Sequence, residues 1–149
     1  MLKPGDKAPT ILLLDQDNTP VKLSSFKGHK VLVYFYPRAD TPGCTTQACG
    51  LRDISNDVDD TVIIGVSPDK PAALKKFDTK YSLGFTLLSD PDHAVAEAYD
   101  VWQEKSNYGK KYMGIARTTY LIGADGKVQK RWDNVKVDGH TEAVLEALG

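Results

Sequence analysis

The sequence predicts a three-layer α/β domain, in which helices flank a central sheet of parallel and antiparallel strands. The main observation is that short apolar runs alternate with segments whose apolar residues recur at helical intervals. The second is that the last third of the chain adds a hairpin pattern and an amphipathic helix. The chain is 41% hydrophobic and 26% charged and shows no internal repeat, so residues 1–149 are expected to form a single domain.

The first half of the chain predicts a hairpin followed by a βαβ unit. Residues 11–23, ILLLDQDNTPVKL, are typical of two short strands around a polar turn. Residues 31–36, VLVYFY, predict a strand buried on both faces, because they are apolar without alternation. A helix is expected to begin after Thr41 and to end around residues 56–60. Residues 61–66 then supply a parallel strand through a right-handed crossover.

The second half of the chain predicts further elements around the same sheet. In chain order they are a helix at 71–81 that begins with Pro71, a strand at 85–90, a helix within 92–102 capped by Asp92, a polar loop at 103–114, a hairpin at 117–132 that turns at Asp125-Gly126, and a final helix at 140–148.

Composition limits the classes of function. The net charge of −1 gives no surplus for nucleic-acid or membrane-surface binding, and the apolar runs are too short to cross a bilayer. The first residues, MLKPGDKAPT, lack the apolar stretch of a secretion signal, so we expect a cytoplasmic protein. Two cysteines and scattered histidines do not suit a metal site, and no cofactor is expected.

Both cysteines lie in the stretch PRADTPGCTTQACGLRD, residues 37–53. With Thr41 as N-cap and Pro42 at the first helical position, Cys44 is the third residue of the helix. There the unpaired backbone N–H groups and the helix dipole favour a thiolate. An unperturbed cysteine is only about 3% thiolate at pH 7, so catalysis needs further donors and positive charge. The alternative is an inert thiol at the start of a core helix.

Two residues are candidates for those donors. The Thr41 oxygen can accept the capping hydrogen bond while its proton points at the sulfur or at a substrate oxygen, or it can serve as an N-cap only. Arg117, one of four arginines, opens a predicted strand after a flexible loop. It is either an active-site donor or the partner in a surface salt bridge.

Cys49 follows Cys44 by five positions. On an undistorted helix this separation places the two side chains about 140° apart, with Cα atoms about 8.6 Å from each other. A disulfide needs Cα atoms within about 7 Å. Cys49 is therefore either a packed core thiol or a thiol that attacks an oxidised Cys44 after the helix unwinds locally.

The stretch that contains the cysteines resembles the active-site segment of peroxiredoxins, and the spacing from Cys44 to Cys49 resembles the peroxiredoxin Q, or bacterioferritin comigratory protein, subgroup. The likeness continues through YMGIARTTYLIGADGKV and VKVDGHTEAVLEAL. It implies a thioredoxin-like fold with an N-terminal hairpin and a thiol peroxidase for hydrogen peroxide and organic hydroperoxides. It also implies Cys44 as peroxidatic cysteine, Cys49 as resolving cysteine, and Pro37, Thr41 and Arg117 as the rest of the signature.

The resemblance further implies an intramolecular disulfide, recycling by thioredoxin or a similar dithiol, and a monomer. Two positions depart from the usual pattern: Gln47 replaces a glutamate and Leu51 a phenylalanine. A peroxide-responsive sensor or binding module that uses the same disulfide is the alternative function, whereas a protein thiol–disulfide oxidoreductase would show a C-x-x-C pair. Side chains of the predicted loop region could line a docking surface or simply pack: Trp102, Tyr108, Tyr112 and Met113.

Overall fold

The computed structural model describes residues 2–55, 61–137 and 139–148. The strands are β1 Leu12–Asp15, β2 Pro20–Lys22, β3 Lys30–Phe35, β4 Thr61–Ser67, β5 Thr86–Ser89, β6 Trp102–Asn107, β7 Lys110–Ile115, β8 Thr118–Ile122 and β9 Val128–Trp132. The helices are α1 Pro42–Ile54, α2 Pro71–Tyr81, α3 Ala94–Ala98 and α4 His140–Leu148, and a 3₁₀ turn spans Leu23–Phe26. Among the described residues, no helix has the length and apolar character needed to span a bilayer.

Seven of the described strands form one mixed sheet in the order β2-β1-β5-β4-β3-β8-β9. The pairs β3–β4 and β4–β5 are parallel, and the other pairs of this sheet are antiparallel. Helix α1 provides the crossover from β3 to β4, as the βαβ pattern predicts. The predicted mixed α/β fold is therefore confirmed, and the end of β3 leads directly into the start of α1.

Strand β3 is buried on both faces and divides the core into two clusters. One cluster contains Leu32, Tyr34 and Tyr36 together with residues of α1, α2 and α4. The other contains Val31, Val33 and Phe35 with residues of α3, β8 and the N-terminal segment. Because successive side chains of a strand point to opposite faces, the unbroken apolar run of β3 serves both layers.

The predicted hairpins at the two ends of the sheet are present. In the β1–β2 turn, the Asp15 carboxylate accepts hydrogen bonds from the N–H groups of Asp17 at 2.8 Å and Thr19 at 3.0 Å. The β8–β9 connection turns at Gly126, whose φ of 82° lies in the left-handed region that glycine tolerates. The Asp-Gly signal was thus a correct guide to the position of this turn.

The prediction of a loop over residues 103–114 was wrong. Strands β6 and β7 pair there as an antiparallel hairpin that stands apart from the main sheet. Its turn places Tyr108 and Gly109 at φ angles of 52° and 79°. At its base the ring of Trp102 stacks on His93, with centroids 3.8 Å apart. The hydrophobic pattern did not indicate this hairpin, because its side chains are mostly polar on both faces.

The start of α3 also differs from the prediction. The helix covers only Ala94–Ala98, and its N-cap position is His93 rather than Asp92. Asp90 satisfies the first N–H groups instead, since its carboxylate accepts hydrogen bonds from Val95 and Ala96. The predicted end of the first helix at 56–60 lies outside the described residues.

Candidate active site

Cys44 lies at the carboxyl end of β3, where parallel strands of α/β folds commonly place their sites. Thr41 occupies the N-cap position of α1 and Pro42 follows it. The carbonyl of Thr41 accepts the first intrahelical bond from Thr45 N–H at 2.8 Å, so the N–H groups of Gly43 and Cys44 have no partner within the helix. The first turn therefore presents positive partial charge to the Cys44 sulfur.

Arg117 lies in front of this helix end, one residue before β8. Its Nη2 donates to Cys44 Sγ at 3.2 Å, and its Nη1 donates to Gln47 Oε1 at 2.5 Å. A Cβ added to Gly43 would lie 3.4 Å from Nη2, which is ordinary contact, so the guanidinium lies directly against this position of the helix. A fixed positive charge in contact with the sulfur favours the thiolate over the thiol.

Gln47 is buried and lies on the same side of α1 as Cys44, three positions later. Its amide oxygen orients the guanidinium, as the sequence allowed, while its Nε2 has no hydrogen-bond partner among the described residues. An amide carries no charge, so it holds Arg117 without neutralising it. The substitution of the usual glutamate thus changes the local electrostatics but preserves the hydrogen bond.

Aromatic side chains pack beneath Cys44 in the core. Cys44 is 1% exposed and packs in one cluster with Tyr34, Tyr36 and Leu51. The two tyrosine rings stack with centroids 5.2 Å apart, and the Tyr34 hydroxyl has no hydrogen-bond partner among the described residues. Burial raises the pKa of both tyrosines, so they stay neutral below the sulfur.

Cys49 lies further along the same continuous helix and is partly exposed. Both cysteines are free, and the Cys49 side chain packs at the edge of the cluster that contains Cys44. Next to it, Gly50 faces α4 so closely that an added Cβ would lie 2.4 Å from Thr141 Oγ1. Cys49 therefore packs against the core and is also partly accessible from outside.

The structure places Thr41 at the predicted N-cap position but not in the predicted capping role. Its hydroxyl makes no cap bond and instead donates to the carbonyl of Arg38 at 2.9 Å. The prediction that its proton points at the sulfur is therefore wrong for this conformation. The reason is that the turn before α1 folds back and presents the Arg38 carbonyl to the hydroxyl at close range. Pro37 is half-buried between β3 and this turn.

The turn before α1 is tied to neighbouring elements by carboxylates. The N–H of Ala39 donates to Asp69 at 2.8 Å. Asp40 accepts hydrogen bonds from Lys80 at 2.9 Å and from the Tyr81 hydroxyl at 2.7 Å. These bonds lower the pKa of Asp40, and they link the turn to α2. The position of the helix start, and hence of Cys44, is fixed from outside α1.

Sequence reasoning missed a second cation near the site, Lys105 of β6. In the hairpin register Lys105 pairs with Tyr112, yet its Cδ lies 3.3 Å from where a Cβ on Gly114 would be. The aliphatic part of the Lys105 side chain therefore passes over Gly114 toward the base of the hairpin. Arg117 lies there, two residues after the end of β7. Burial lowers the pKa of Lys105 and the charge of Arg117 lowers it further, whereas Cys44 acts in the opposite direction. No signal in a predicted loop could have found this residue.

The comparison with known families identifies the fold and the chemistry. The AhpC/TSA family matches residues 4–131 of the chain. Peroxiredoxin Bcp of Escherichia coli (strain K12) is 51% identical over 149 residues, which cover 99% of this chain and 96% of that protein. The chain belongs to the AhpC/TSA family, as a peroxiredoxin. Peroxiredoxin Bcp of Bacillus subtilis (strain 168) is 48% identical over 146 residues, covering 97% of this peroxiredoxin and 93% of that one.

Solved structures agree with this assignment. The bacterioferritin comigratory protein of Xanthomonas campestris, described for its alkyl peroxide reduction activity, matches with a TM-score of 0.91 at 37% identity and covers 98% of this chain and 97% of that one. PrxQ of Xylella fastidiosa matches with a TM-score of 0.93 at 31% identity, over 99% and 96% of the two chains. The predicted thioredoxin-like fold is confirmed. This peroxiredoxin is a thiol-dependent peroxidase, with peroxides as substrates and a thiol as reductant.

Proposed function

We propose that this peroxidase reduces hydrogen peroxide and organic hydroperoxides with Cys44 as the peroxidatic and Cys49 as the resolving cysteine. The observation that carries the proposal is the 3.2 Å contact between Arg117 Nη2 and Cys44 Sγ at the start of α1. A cation held against the sulfur favours the nucleophilic thiolate. The N–H groups of the Arg117 guanidinium can also stabilise the negative charge that develops on the peroxide oxygens during attack.

In the first step the Cys44 thiolate attacks the terminal oxygen of the hydroperoxide. The S–O bond forms as the O–O bond breaks, and the other oxygen takes up a proton and leaves as water or an alcohol. The sulfur is oxidised to a sulfenic acid. We propose that Pro37 shields the thiolate. The Thr41 hydroxyl donates its hydrogen bond to the backbone carbonyl of Arg38. Its oxygen can therefore still accept a hydrogen bond from the hydroperoxide O–H.

In the second step the Cys49 thiol attacks the sulfenic sulfur, the S–S bond forms, and water leaves. On the intact α1 the two Cα atoms are about 8.6 Å apart, beyond the roughly 7 Å that a disulfide allows. Resolution therefore requires local unwinding between the cysteines. A dithiol protein such as thioredoxin then reduces the disulfide by two thiol–disulfide exchanges, which completes the cycle.

The proposal includes a monomer that works in the cytoplasm. Because both cysteines belong to one helix, the chemistry needs no second subunit. An intracellular disulfide is more often transient and catalytic than structural, which suits this cycle. Sedimentation of the reduced and oxidised protein would test the monomer directly.

The peroxidatic assignment is tested by the matched pair Cys44→Ser and Cys49→Ser in a single turnover. Without reductant, Cys49→Ser should consume one equivalent of hydrogen peroxide, and Cys44→Ser should consume none, because only Cys44 is oxidised directly. Stopped-flow peroxide consumption measures both. Activity near wild type in Cys44→Ser would remove Cys44 from the mechanism.

The resolving assignment is tested by mass spectrometry after one equivalent of peroxide. Wild type should contain a Cys44–Cys49 disulfide, whereas Cys49→Ser should hold a sulfenic acid that a dimedone probe traps. Turnover with thioredoxin and its reductase should be lost in Cys49→Ser. A parallel assay with a glutathione-based system distinguishes the reductants. Absence of the disulfide in oxidised wild type contradicts the assignment.

A further inference from the structure

A cavity of about 610 Å³ lies at the opposite end of β3 from Cys44. It is enclosed by the N-terminal segment, the 3₁₀ turn Leu23–Phe26 and the β8–β9 turn. Val31 at the beginning of β3 lines it, whereas Cys44 follows the end of that strand. The cavity is therefore separate from the peroxidase site, and its volume is in the range of small-molecule sites, about 300–1,000 Å³.

The inner wall of this cavity is apolar. Ala8, Ile11, Val31 and Ile122 line it and are all buried members of the core cluster on that face. The 3₁₀ turn adds Leu23 and Phe26, which pack against the same cluster while remaining partly exposed. An alkyl chain in the cavity would extend the hydrophobic core, whereas a fully polar ligand would find few partners on this wall.

The opening of the cavity is basic. Lys7, Lys22, Lys27 and Lys127, which we call the rim lysines, line it together with Asp125. None of the rim lysines forms an ion pair with a described carboxylate. Asp125 is already engaged, since its carboxylate accepts the N–H of Lys127 at 3.0 Å.

The rim lysines are distinguished by their position, because four positive side chains line one opening. Among the other described lysines, three have carboxylate partners: Lys75 with Asp17, Lys80 with Asp40 and Lys111 with Glu104. The chain as a whole carries a net charge of −1, so the positive opening is a local feature. An apolar wall with a cationic opening is complementary to a molecule with an apolar tail and one negative head group.

We propose that this cavity binds a free single-chain alkyl carboxylate, with its tail against the apolar wall and its head group at the rim lysines. The three enclosing segments leave a recess within the molecule rather than a flat surface, which favours a monomeric ligand over a membrane. The inference stands independently of the roles proposed for Cys44 and Cys49.

The test is a titration of ¹⁵N-labelled protein with octanoate, decanoate and decanol, followed by amide chemical shifts. Shifts should saturate and be confined to the residues around the cavity. Each added methylene should tighten binding about fourfold, because it buries one more apolar group. Decanoate should bind more tightly than decanol, and only decanoate should weaken as salt is raised from 0.05 to 0.5 M, an interval of about tenfold in ionic strength.

The double variant Lys27→Glu with Lys127→Glu should weaken decanoate binding at least tenfold and leave decanol binding unchanged. Lys110→Glu with Lys111→Glu is the matched control, since it makes the same change in charge on the β6–β7 hairpin and should bind decanoate like wild type. Peroxide consumption and the dispersion of amide signals verify that each variant is folded.

Four outcomes would overturn the proposal. They are no saturable shifts near the cavity, equal binding of decanol and decanoate, equal losses in the two double variants, and association with anionic phospholipid vesicles without binding of monomeric decanoate. The last outcome would assign the basic opening to a membrane surface instead.

Discussion

Arg117 retains an unneutralised positive charge at Cys44, because an amide rather than a carboxylate holds its second nitrogen. A glutamate at position 47 would orient the guanidinium equally well, but its negative charge would oppose a thiolate nearby. No described carboxylate forms an ion pair with Arg117. At the scale of single residues, the structure therefore directs the charge of Arg117 at the Cys44 sulfur.

Lys105 should contribute to the same field. Replacing it by methionine keeps an unbranched stem across Gly114 and removes the charge. We expect Cys44 in Lys105→Met to react about two- to fivefold more slowly with iodoacetamide at pH 6.5, since a nearby but partly solvated cation has a modest effect. The measurement uses a Cys49→Ser background, so that Cys44 is the thiol observed.

Two controls separate charge from packing in this experiment. Lys105→Arg should restore the rate, and Lys111→Met, on the other face of the hairpin and paired with Glu104, should not change it. The difference between Lys105→Met and wild type should shrink in 1 M salt, where the Debye length is about 3 Å. Identical rates for Lys105→Met and wild type would show that Lys105 does not act on Cys44.

At the scale of elements, the proposed cycle requires α1 to hold Cys44 in place and also to release Cys49. Of its two glycines, Gly43 lies in ordinary contact with Arg117, whereas Gly50 leaves room for Thr141 of α4. Each glycine also weakens the helix by about 1 kcal/mol relative to alanine. At Gly50, close packing against α4 and the unwinding that we propose for α1 therefore depend on the same residue.

A stiffer α1 should slow resolution without slowing peroxide attack. In Thr141→Ala the nearest atom to a Cβ on Gly50 is the Cβ of residue 141 at 3.6 Å, which is ordinary contact, so Gly50→Ala can be added without a clash. The added alanine should stabilise the helix by about 1 kcal/mol and slow disulfide formation roughly fivefold. Rapid quench and mass spectrometry of the oxidised protein give the rate.

Thr141→Ala alone is the control for this pair, because it removes the same hydroxyl without changing helix propensity at position 50. Peroxide consumption in the first step should be equal in both variants. If the double variant is more stable yet forms the disulfide at the rate of Thr141→Ala, unwinding near Gly50 does not limit resolution.

At the scale of the whole molecule, the sequence was informative where one physical signal dominated. The unbroken apolar run of β3 predicted burial on both faces, and Asp125-Gly126 located the β8–β9 turn. Local signals failed where distant contacts decide the structure. Residues 103–114 are polar, and their hairpin depends on pairing across the turn and on the stacking of Trp102 on His93.

The candidate site was predictable to a similar extent. The position of Cys44 in the first turn of a helix followed from Thr41 and Pro42, whereas the contact with Arg117 joins residues 73 positions apart and needed the family resemblance to be expected. The Thr41 hydroxyl bond depends on the path of the preceding turn, and Lys105 depends on a hairpin that was not predicted. Neither the path of the turn before α1 nor the pairing of the β6–β7 hairpin can be inferred from the spacing of residues along the sequence.

His140 connects α4 to β8 and should make stability depend on pH. It is buried, and its Nε2 lies 3.1 Å from Thr119 Oγ1. Burial lowers the pKa of His140, and the charge of Arg117 lowers it further. Below the unfolded value of about 6.5, the unfolded chain binds this proton more readily than the folded chain. The free energy of unfolding should therefore fall as pH drops from about 7 through the lowered pKa.

The contribution is isolated by comparing wild type with His140→Gln, which keeps a neutral hydrogen-bonding side chain beside Thr119. Between pH 7.5 and 5.5 wild type should lose at most about 1.4 kcal/mol more than the variant, a limit set by the one pH unit between the unfolded pKa of about 6.5 and pH 5.5. Urea denaturation at each pH measures this. Parallel curves for wild type and His140→Gln would show that His140 does not cause the pH dependence.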